Sequence, residues 1–436
     1  PPRRSPPGPE TPPFTRSTVP PMPPDPSTAM TPRQLLDTAV DADGRGNAAL
    51  AEQLGQQLLE SGHATAECLY MLAVIASDAR QDWRAVDLLA AALRLDPGAA
   101  PLRDALAQAK AYAASAPARL GGYLLIKAWG YGFCSDLDHV LGCLLAADLS
   151  GRTPIVHWGK SSLFRDEGVD NAWDALFDPV STATIADVAG RSLFPPKWTH
   201  ANLHDAGVNK LEGEWSRVPG LALLGADAEV AVSDCHFGVV DLLPWIRPGH
   251  RFHGLPLARI YRLLVDEHIR VRPSILAEAH AYADRHLAGR PTLAVHARGS
   301  DKPLEFPQTA RQNDDLLDAA AAFIAARPDG VVFLLTDDES LRAAYASRLG
   351  ERLVVADAIR STGGEGVHYL EHASRSRLAV ELLRDMTIAT RCERFTGLGA
   401  SNVACMIRHL RDWPEGTVTL APPILHDARN PILHRR

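Results

Sequence analysis

At 436 residues the chain has room for two or three domains of on the order of 150 residues each, and its 46% apolar and 22% charged residues are ordinary for a globular protein. A formal net charge of −7 excludes a dedicated nucleic-acid binder, which carries a basic patch or a high isoelectric point. No apolar run approaches the ~20 residues that span a bilayer, so no membrane span is expected.

The opening Pro-Pro-Arg-Arg-Ser-Pro-Pro has no apolar core of a signal peptide behind it. Six cysteines without a Cys-x-x-Cys pair point to neither a disulfide framework nor a structural zinc site. Cys68, Cys143 and Cys405 sit among alanines and leucines as small core residues. The simplest location is cytoplasmic, and the Ala, Arg and Leu bias resembles that of a bacterial protein from a GC-rich genome.

Residues 1–30 are dominated by Pro, Ser and Thr and lack apolar periodicity. They cannot bury enough surface to offset ordering, so disorder is expected, with a Pro-rich ligand for a partner as the alternative. From 31 to 117 the chain turns Ala- and Leu-rich with helical spacing. Leu69, Leu72, Ala73 and Ala76 line one face of a first helix. Ala85, Leu88, Leu89 and Ala92 line a second, which Leu95-Asp96-Pro97 stops. Small residues where helices cross, and a proline closing a unit of about 34 residues, resemble a tetratricopeptide repeat. The preceding segment, with Ala39, Ala51 and Leu58, fits that pattern loosely, and Pro101–Ala114 reads as a capping helix. So short an array either packs on the main body or recognises a protein partner.

Beyond Leu120 strands alternate with helices. Tyr123–Lys127, Pro154–His157, Leu221–Leu224, Val230–Val232, Leu293–Val295, Val331–Leu335 and Leu353–Val355 read as strands. Asp136–Leu149, Ile275–Leu287, Asp314–Ala326, Ser374–Ala389 and Asn402–Leu410 read as helices. This alternation implies an α/β fold of parallel sheets with covered faces. The stretch is too long for one compact sheet, so two doubly wound units are expected, 118–287 and 288–436.

Chemistry gathers where strands end. Thr292-Leu-Ala-Val-His-Ala-Arg-Gly-Ser-Asp-Lys302 is a mostly apolar strand that gives way to His296, Arg298, Asp301 and Lys302. Open α/β sheets bind ligands at that edge, and a guanidinium there suits a phosphate, unless the charges are simply those of a solvated loop. Trp129-Gly-Tyr-Gly-Phe-Cys-Ser135 places Gly130 and Gly132 before a helix start at Asp136, where backbone can approach an anion. Asp136-Leu-Asp138 spells the Asp-x-Asp of metal-dependent glycosyltransferases. At a helix start, however, aspartates cap N–H groups and complement the dipole, so no metal is expected. Phe333–Leu341 is another strand ending in Asp337, Asp338 and Glu339 at a helix start. The loop Gly363–Tyr369 precedes a helix carrying Glu381 and Asp385, and Phe395–Val403 is a small-residue turn into a helix that suits a phosphate.

In this order the segments resemble the α-1,6-fucosyltransferase family, which includes the bacterial nodulation fucosyltransferases and the animal enzyme that core-fucosylates N-glycans. The family's His-Val-Arg-Arg-Thr-Asp-Lys corresponds to His296-Ala-Arg-Gly-Ser-Asp-Lys302, and its Thr-Asp-Asp-x-x-Leu to Thr336-Asp-Asp-Glu-Ser-Leu341. Its Gly-x-His loop, helix aspartate and Ser-Ser-Gln-Val turn correspond to Gly366-Val-His368, Asp385 and Ala400-Ser-Asn-Val403. Gly-Tyr-Gly with His139 resembles its donor-side loop, and the likeness spans about residues 120–412.

The resemblance implies a pair of Rossmann-type domains of the GT-B kind behind the tetratricopeptide-like segment. Residues 118–287 would form the acceptor side and 288–436 the nucleotide-sugar side. It implies an inverting, metal-independent transfer of fucose from GDP-fucose to a hydroxyl of a glycan or protein-linked acceptor, with no other cofactor. Arg298 would grip the donor's β-phosphate and Glu305 would be the base, one residue nearer Lys302 than in the family. Lys302 would lie by the acceptor or the phosphates, His296 would seat the nucleoside, and Asp385 would read guanine. Ser401 and Asn402 at a helix start, with Asp301, Asp337, Gly130 and Gly132, complete the expected donor site. Gly299 stands where the family has a second arginine, as protein O-fucosyltransferases also manage with one. A non-catalytic sugar-nucleotide-binding or scaffold protein is the alternative.

Overall fold

The computed structural model describes residues 30–78, 82–115, 121–205, 227–233, 236–370 and 374–427. The Pro-rich segment up to residue 29 and the strand expected at Leu221–Leu224 lie outside the described residues.

The described residues begin with five helices: α1 (Pro32–Gly44), α2 (Ala48–Glu60), α3 (Ala66–Asp78), α4 (Asp82–Leu95) and α5 (Ala100–Ser115). Thr31 and Gln34 start α1 with a reciprocal capping box, and Pro32 fills its first turn, where no N–H is needed. α1 packs on α2, α3 on α4, and α4 on α5. Small residues set the approach. Ala39, Ala51, Ala76 and Ala92 are fully buried, and a Cβ at Gly55 would stand 2.7 Å from the Leu72 side chain. The faces expected from the spacing are buried at Leu69, Leu72, Ala73, Ala76, Ala85, Leu89 and Ala92. α4 rests on the main body through the 3-10 turn Val239–Trp245.

Among the described residues the main body holds two parallel sheets. The first, in order β2-β1-β4-β3, comprises β1 (Tyr123–Lys127), β2 (Thr153–His157), β3 (Leu193–Phe194) and β4 (Val230–Val232). Between β1 and β2 lies α6 (Phe133–Ser150), apolar on nearly every side and therefore buried. It ends at Gly151, whose φ of 66° is the left-handed cap that glycine adopts freely. α7 (Leu257–His268) and α8 (Pro273–His286) lead into the second sheet.

That sheet has the order β7-β6-β5-β8-β9, built from β5 (Thr292–Ala297), β6 (Val331–Thr336), β7 (Leu353–Val354), β8 (Arg394–Leu398) and β9 (Val418–Ala421). β5 and β6 read as near-continuous apolar runs because both their faces are covered, as in parallel sheets generally. Its helices are α9 (Lys302–Glu305), α10 (Thr309–Ala326), α11 (Glu339–Leu349), α12 (Arg375–Ala389) and α13 (Asn402–His409). α8 packs on α12, and α13 packs on α6 and α7. One apolar core accordingly runs from Leu124 and Ile126 of the first sheet to Phe333 and Phe395 of the second. Cys68, Cys143 and Cys405 are buried as expected, and no described helix is long and apolar enough to cross a membrane.

Candidate functional site

The C-terminal ends of β5, β6 and β8 face the loop after β1 across a cavity of about 460 Å³. His296 and Arg298 reach it from β5 and its following turn, and Asp301, Lys302 and Glu305 from around α9. Asp337, Asp385, Ser401, Asn402 and Gly132 line it as well. Ten of the eleven residues expected to form the donor and catalytic set therefore meet in one place. Gly130 does not line the cavity. Its φ of 85° makes the turn, and its N–H donates to Asp136 Oδ2 at 3.1 Å.

Arg298 is the best-held cation here. Asn313 Nδ2 donates to its carbonyl at 2.9 Å, which fixes the turn. Nη2 donates to Asp301 Oδ1 at 2.8 Å, and Nε lies 3.3 Å from Asp337 Oδ2. Burial disfavours the guanidinium charge, but Asp337 and Asp301 outweigh it and hold the pKa above the usual arginine value. Asp337 is itself fixed by the Gly299 N–H at 3.2 Å and the Ser300 hydroxyl at 2.5 Å. The two aspartates thus orient the fork by one hydrogen bond, at Nη2, and one ion pair, while neither Nε nor Nη1 makes a hydrogen bond among the described residues. A planar cation held on one edge can offer its free edge to an anion.

His296 beside it is neutral. Burial, then the Arg298 and Lys302 charges, lower its pKa to about 3, and its buried Nδ1 has no hydrogen-bond partner. His368 is likewise held below the usual range, by burial and then Arg298. Lys302 Nζ donates to Glu305 Oε2 at 2.5 Å and lies over the Phe306 ring.

At the far wall, Ser401 precedes α13 with a hydroxyl that is buried and unpartnered. A helix start with free N–H groups and an unused hydroxyl suits an anion. Asn402 Oδ1 is paired with His426 Nε2 at 3.0 Å, which orients its amide. α12 presents Leu378, Glu381, Leu382 and Asp385 to the cavity at helical spacing. Asp385 Oδ1 accepts from Arg384 Nε at 2.8 Å, and Arg384 is braced by Glu278 at 3.1 Å and the Asp357 carbonyl at 2.7 Å. Burial lifts the Asp385 carboxyl to about 6, although Arg384 pulls it down.

Three expectations need correction. α6 begins at Phe133 with Gly132 as its cap, one turn before Asp136. Asp136 therefore turns back onto the loop, accepting the N–H groups of Gly130 at 3.1 Å and Tyr131 at 3.3 Å. Asp138 does not cap at all. It is buried, and Tyr261 Oη donates to it at 2.6 Å. His139, expected beside the donor loop, is enclosed behind the wall with Nδ1 3.2 Å from the Phe237 carbonyl.

The sequence reading also misses cavity residues. Tyr131 and Tyr369 stand half-exposed at its mouth, and Phe164 forms part of the wall. Tyr131 lies between Gly130 and Gly132, where an exposed aromatic flanked by glycines is a usable signal, and Tyr369 ends the Gly-rich loop 363–369. Phe164 lies in a segment with no pattern.

No family model matches the chain, and no curated protein matches it. Among solved structures it is similar to the NodZ alpha-1,6-fucosyltransferase co-crystallized with GDP, at 17% identity and a TM-score of 0.43, over 67% of this chain and 92% of that one. The fucosyltransferase NodZ from Bradyrhizobium aligns at 17% identity and a TM-score of 0.41, over 67% and 93%. POFUT1 in complex with GDP-fucose aligns at 12% identity and a TM-score of 0.44, over 69% of this chain and 97% of that one.

Proposed function

We propose that the chain is an inverting, metal-independent glycosyltransferase that moves fucose from GDP-fucose to a hydroxyl of a glycan or protein-linked acceptor. The observation that carries this reading is the pairing, in one cavity, of the free edge of Arg298 with the unpartnered Ser401 hydroxyl at the start of α13. Both are anion receptors, and Asp385 stands in the same cavity with a carboxylate for the guanine N–H edge.

In this reading the acceptor oxygen bonds to the anomeric carbon as the bond from that carbon to the β-phosphate breaks. Glu305 takes the acceptor proton, and the leaving electron pair stays on GDP beside Arg298, where fixed positive charge lowers the barrier. Inversion needs base and leaving group on opposite faces of the sugar. Asp136 and Asp138, engaged by backbone N–H groups and by Tyr261, are not offered to a cation on the diphosphate. Residues 288–436 would hold the donor, 118–287 the acceptor, and 31–117 a protein partner.

A second reading has one observation in its favour. The Glu305 carboxylate is tied to Lys302 and faces solvent more than half-exposed, which suits a protein that holds a sugar nucleotide without turning it over. Calorimetry against GDP-fucose, GDP-mannose, dTDP-rhamnose and UDP-sugars identifies the donor. Time-dependent release of GDP on adding acceptor supports transfer. Tight GDP-fucose binding with no release favours holding, and failure to bind any of these sugar nucleotides overturns both.

A further inference from the structure

The first sheet carries a cluster that the donor cavity does not use. We infer that His157, Asp170 and His204 form a site for a divalent transition-metal ion of the zinc class. One ligand atom from each lies within 4.8 Å of the others. His157 ends β2 with its side chain buried, and its Nε2 has no hydrogen-bond partner. A buried nitrogen with nothing to bind is costly unless something occupies the space beside it.

That space is kept open by Gly159, where a Cβ would stand 2.9 Å from His157 Nε2. Asp170 and His204 are exposed, so their side chains can turn. Tetrahedral zinc with ligands at about 2.0–2.1 Å needs donor atoms roughly 3.3 Å apart, a closure that two exposed side chains can supply by rotation. Two imidazoles and one carboxylate suit zinc and its neighbours, whereas magnesium and calcium take oxygen ligands. The nearby cations have partners of their own. Lys127 Nζ donates to the Leu203 and Asp205 carbonyls, and Lys160 lies 3.7 Å from Asp205.

None of the three ligands lines the donor cavity, so the ion stands apart from the proposed transfer, with its fourth position left to water. His157 and Asp170 flank the segment 158–169, which carries Phe164 of the cavity wall and Asp166 at the start of α12. A bound ion closes that segment at its root.

The test uses the full chain stripped with a chelator and dialysed against zinc. Elemental analysis and calorimetry should find one tightly bound zinc per chain, with a raised Tm. The double variant D170N/H204A, altered only at exposed positions, should lose both the bound zinc and the zinc-dependent rise in Tm, with its circular dichroism unchanged. Absence of stoichiometric zinc in the wild type, or its retention in D170N/H204A, overturns the site.

Discussion

Asp166 and Ser376 join the two sheets: the carboxylate of Asp166, in the segment after β2, accepts the Ser376 N–H at 3.1 Å and its hydroxyl as well. The Arg375 N–H at 2.5 Å and the Ser374 hydroxyl at 3.1 Å complete the contact. α12, which carries Asp385, is thus capped by a residue from the other half of the molecule. Burial pushes the Asp166 carboxyl up, but the bonds from Ser376, Arg375 and Ser374 outweigh it and hold the pKa below the usual value. Asp166→Ala should cost about 1 kcal/mol in urea unfolding, in the range of a lost helix cap. Because the folded pKa is depressed, this contribution is present above the unfolded pKa of about 3.9 and fades as pH falls below it. A deficit that persists unchanged at low pH would argue against the cap.

Arg298 is held by Asp301 and Asp337 before any ligand arrives, so its free edge needs no reorganisation to meet a developing charge. Arg298→Ala should lower transfer by about 10²–10³-fold, the loss seen when one preorganised oxyanion donor is removed. Arg298→Lys should recover little, since an ammonium lacks the fork. Asp337→Asn should act in the same direction but less, by loosening the guanidinium. Steady-state turnover with circular dichroism as the fold control checks this. Near wild-type turnover in Arg298→Ala sinks the phosphate clamp.

Ser401 offers a test in which function and stability move apart. Its buried hydroxyl has no partner, so removing it takes away a desolvation penalty rather than a contact. Ser401→Ala should leave the ligand-free protein as stable as before, or up to about 1 kcal/mol more stable. It should weaken GDP by roughly tenfold, the worth of a hydrogen bond to a charged group. Thermal unfolding and calorimetry read the two effects, and unchanged GDP affinity would place the hydroxyl outside the donor site.

Asp385 predicts two opposite pH dependences. Burial holds its carboxyl at about 6 in the folded chain, against Arg384, and it is about 3.9 when unfolded. The folded state binds the proton more tightly. Its contribution to stability is therefore fullest below about pH 4 and is lost as pH rises through the folded pKa. A guanine edge instead needs the ionised carboxylate, so GDP affinity should rise between about pH 5 and 7. Asp385→Asn should flatten both profiles and weaken GDP by roughly 10–100-fold, the worth of charged hydrogen bonds. Calorimetry across that range checks it, and a pH-independent wild-type affinity would remove Asp385 from the donor site.

The strands that end in chemistry were legible because β5 and β6 are interior and parallel, with apolar runs broken sharply by Arg298 and Asp337. β8 was not. Its Arg-Phe-Thr-Gly-Leu is broken by a glycine that reads as a turn, and Gly397 is there for close packing: a Cβ would stand 3.2 Å from the His296 Cβ and 3.1 Å from that of Ala404. Asp138 was misplaced because α6 starts a turn early and carries it inward to Tyr261. Phe164 and Asp166 belong to a segment without regular structure, placed by tertiary contacts such as the Asn171 amide on the Val156 carbonyl at 3.2 Å. Local pattern carries no trace of such contacts.

Gly299 has a physical reason that the sequence alone did not supply. A Cβ there would stand 2.5 Å from Asp338 Oδ2 and 2.6 Å from its Cβ and Cγ. Asp338 cannot easily withdraw, because its Oδ1 caps α11 by accepting the Leu341 N–H at 3.0 Å. Glycine is therefore the residue this turn admits, and its identity is tied to a helix cap rather than to the cavity. Gly299→Arg should destabilise the fold by about 1–3 kcal/mol through overpacking and lower GDP affinity by disturbing Asp337 and Arg298. The double variant Gly299→Arg with Asp338→Gly removes the clashing Cβ together with the carboxylate, at a cost of roughly a few tenths of a kcal/mol in capping, and should recover part of the affinity. Urea unfolding and calorimetry on the pair separate the two effects. A single Gly299→Arg variant that is as stable as wild type and binds GDP more tightly would show that the turn has room, and that the glycine is not fixed by Asp338.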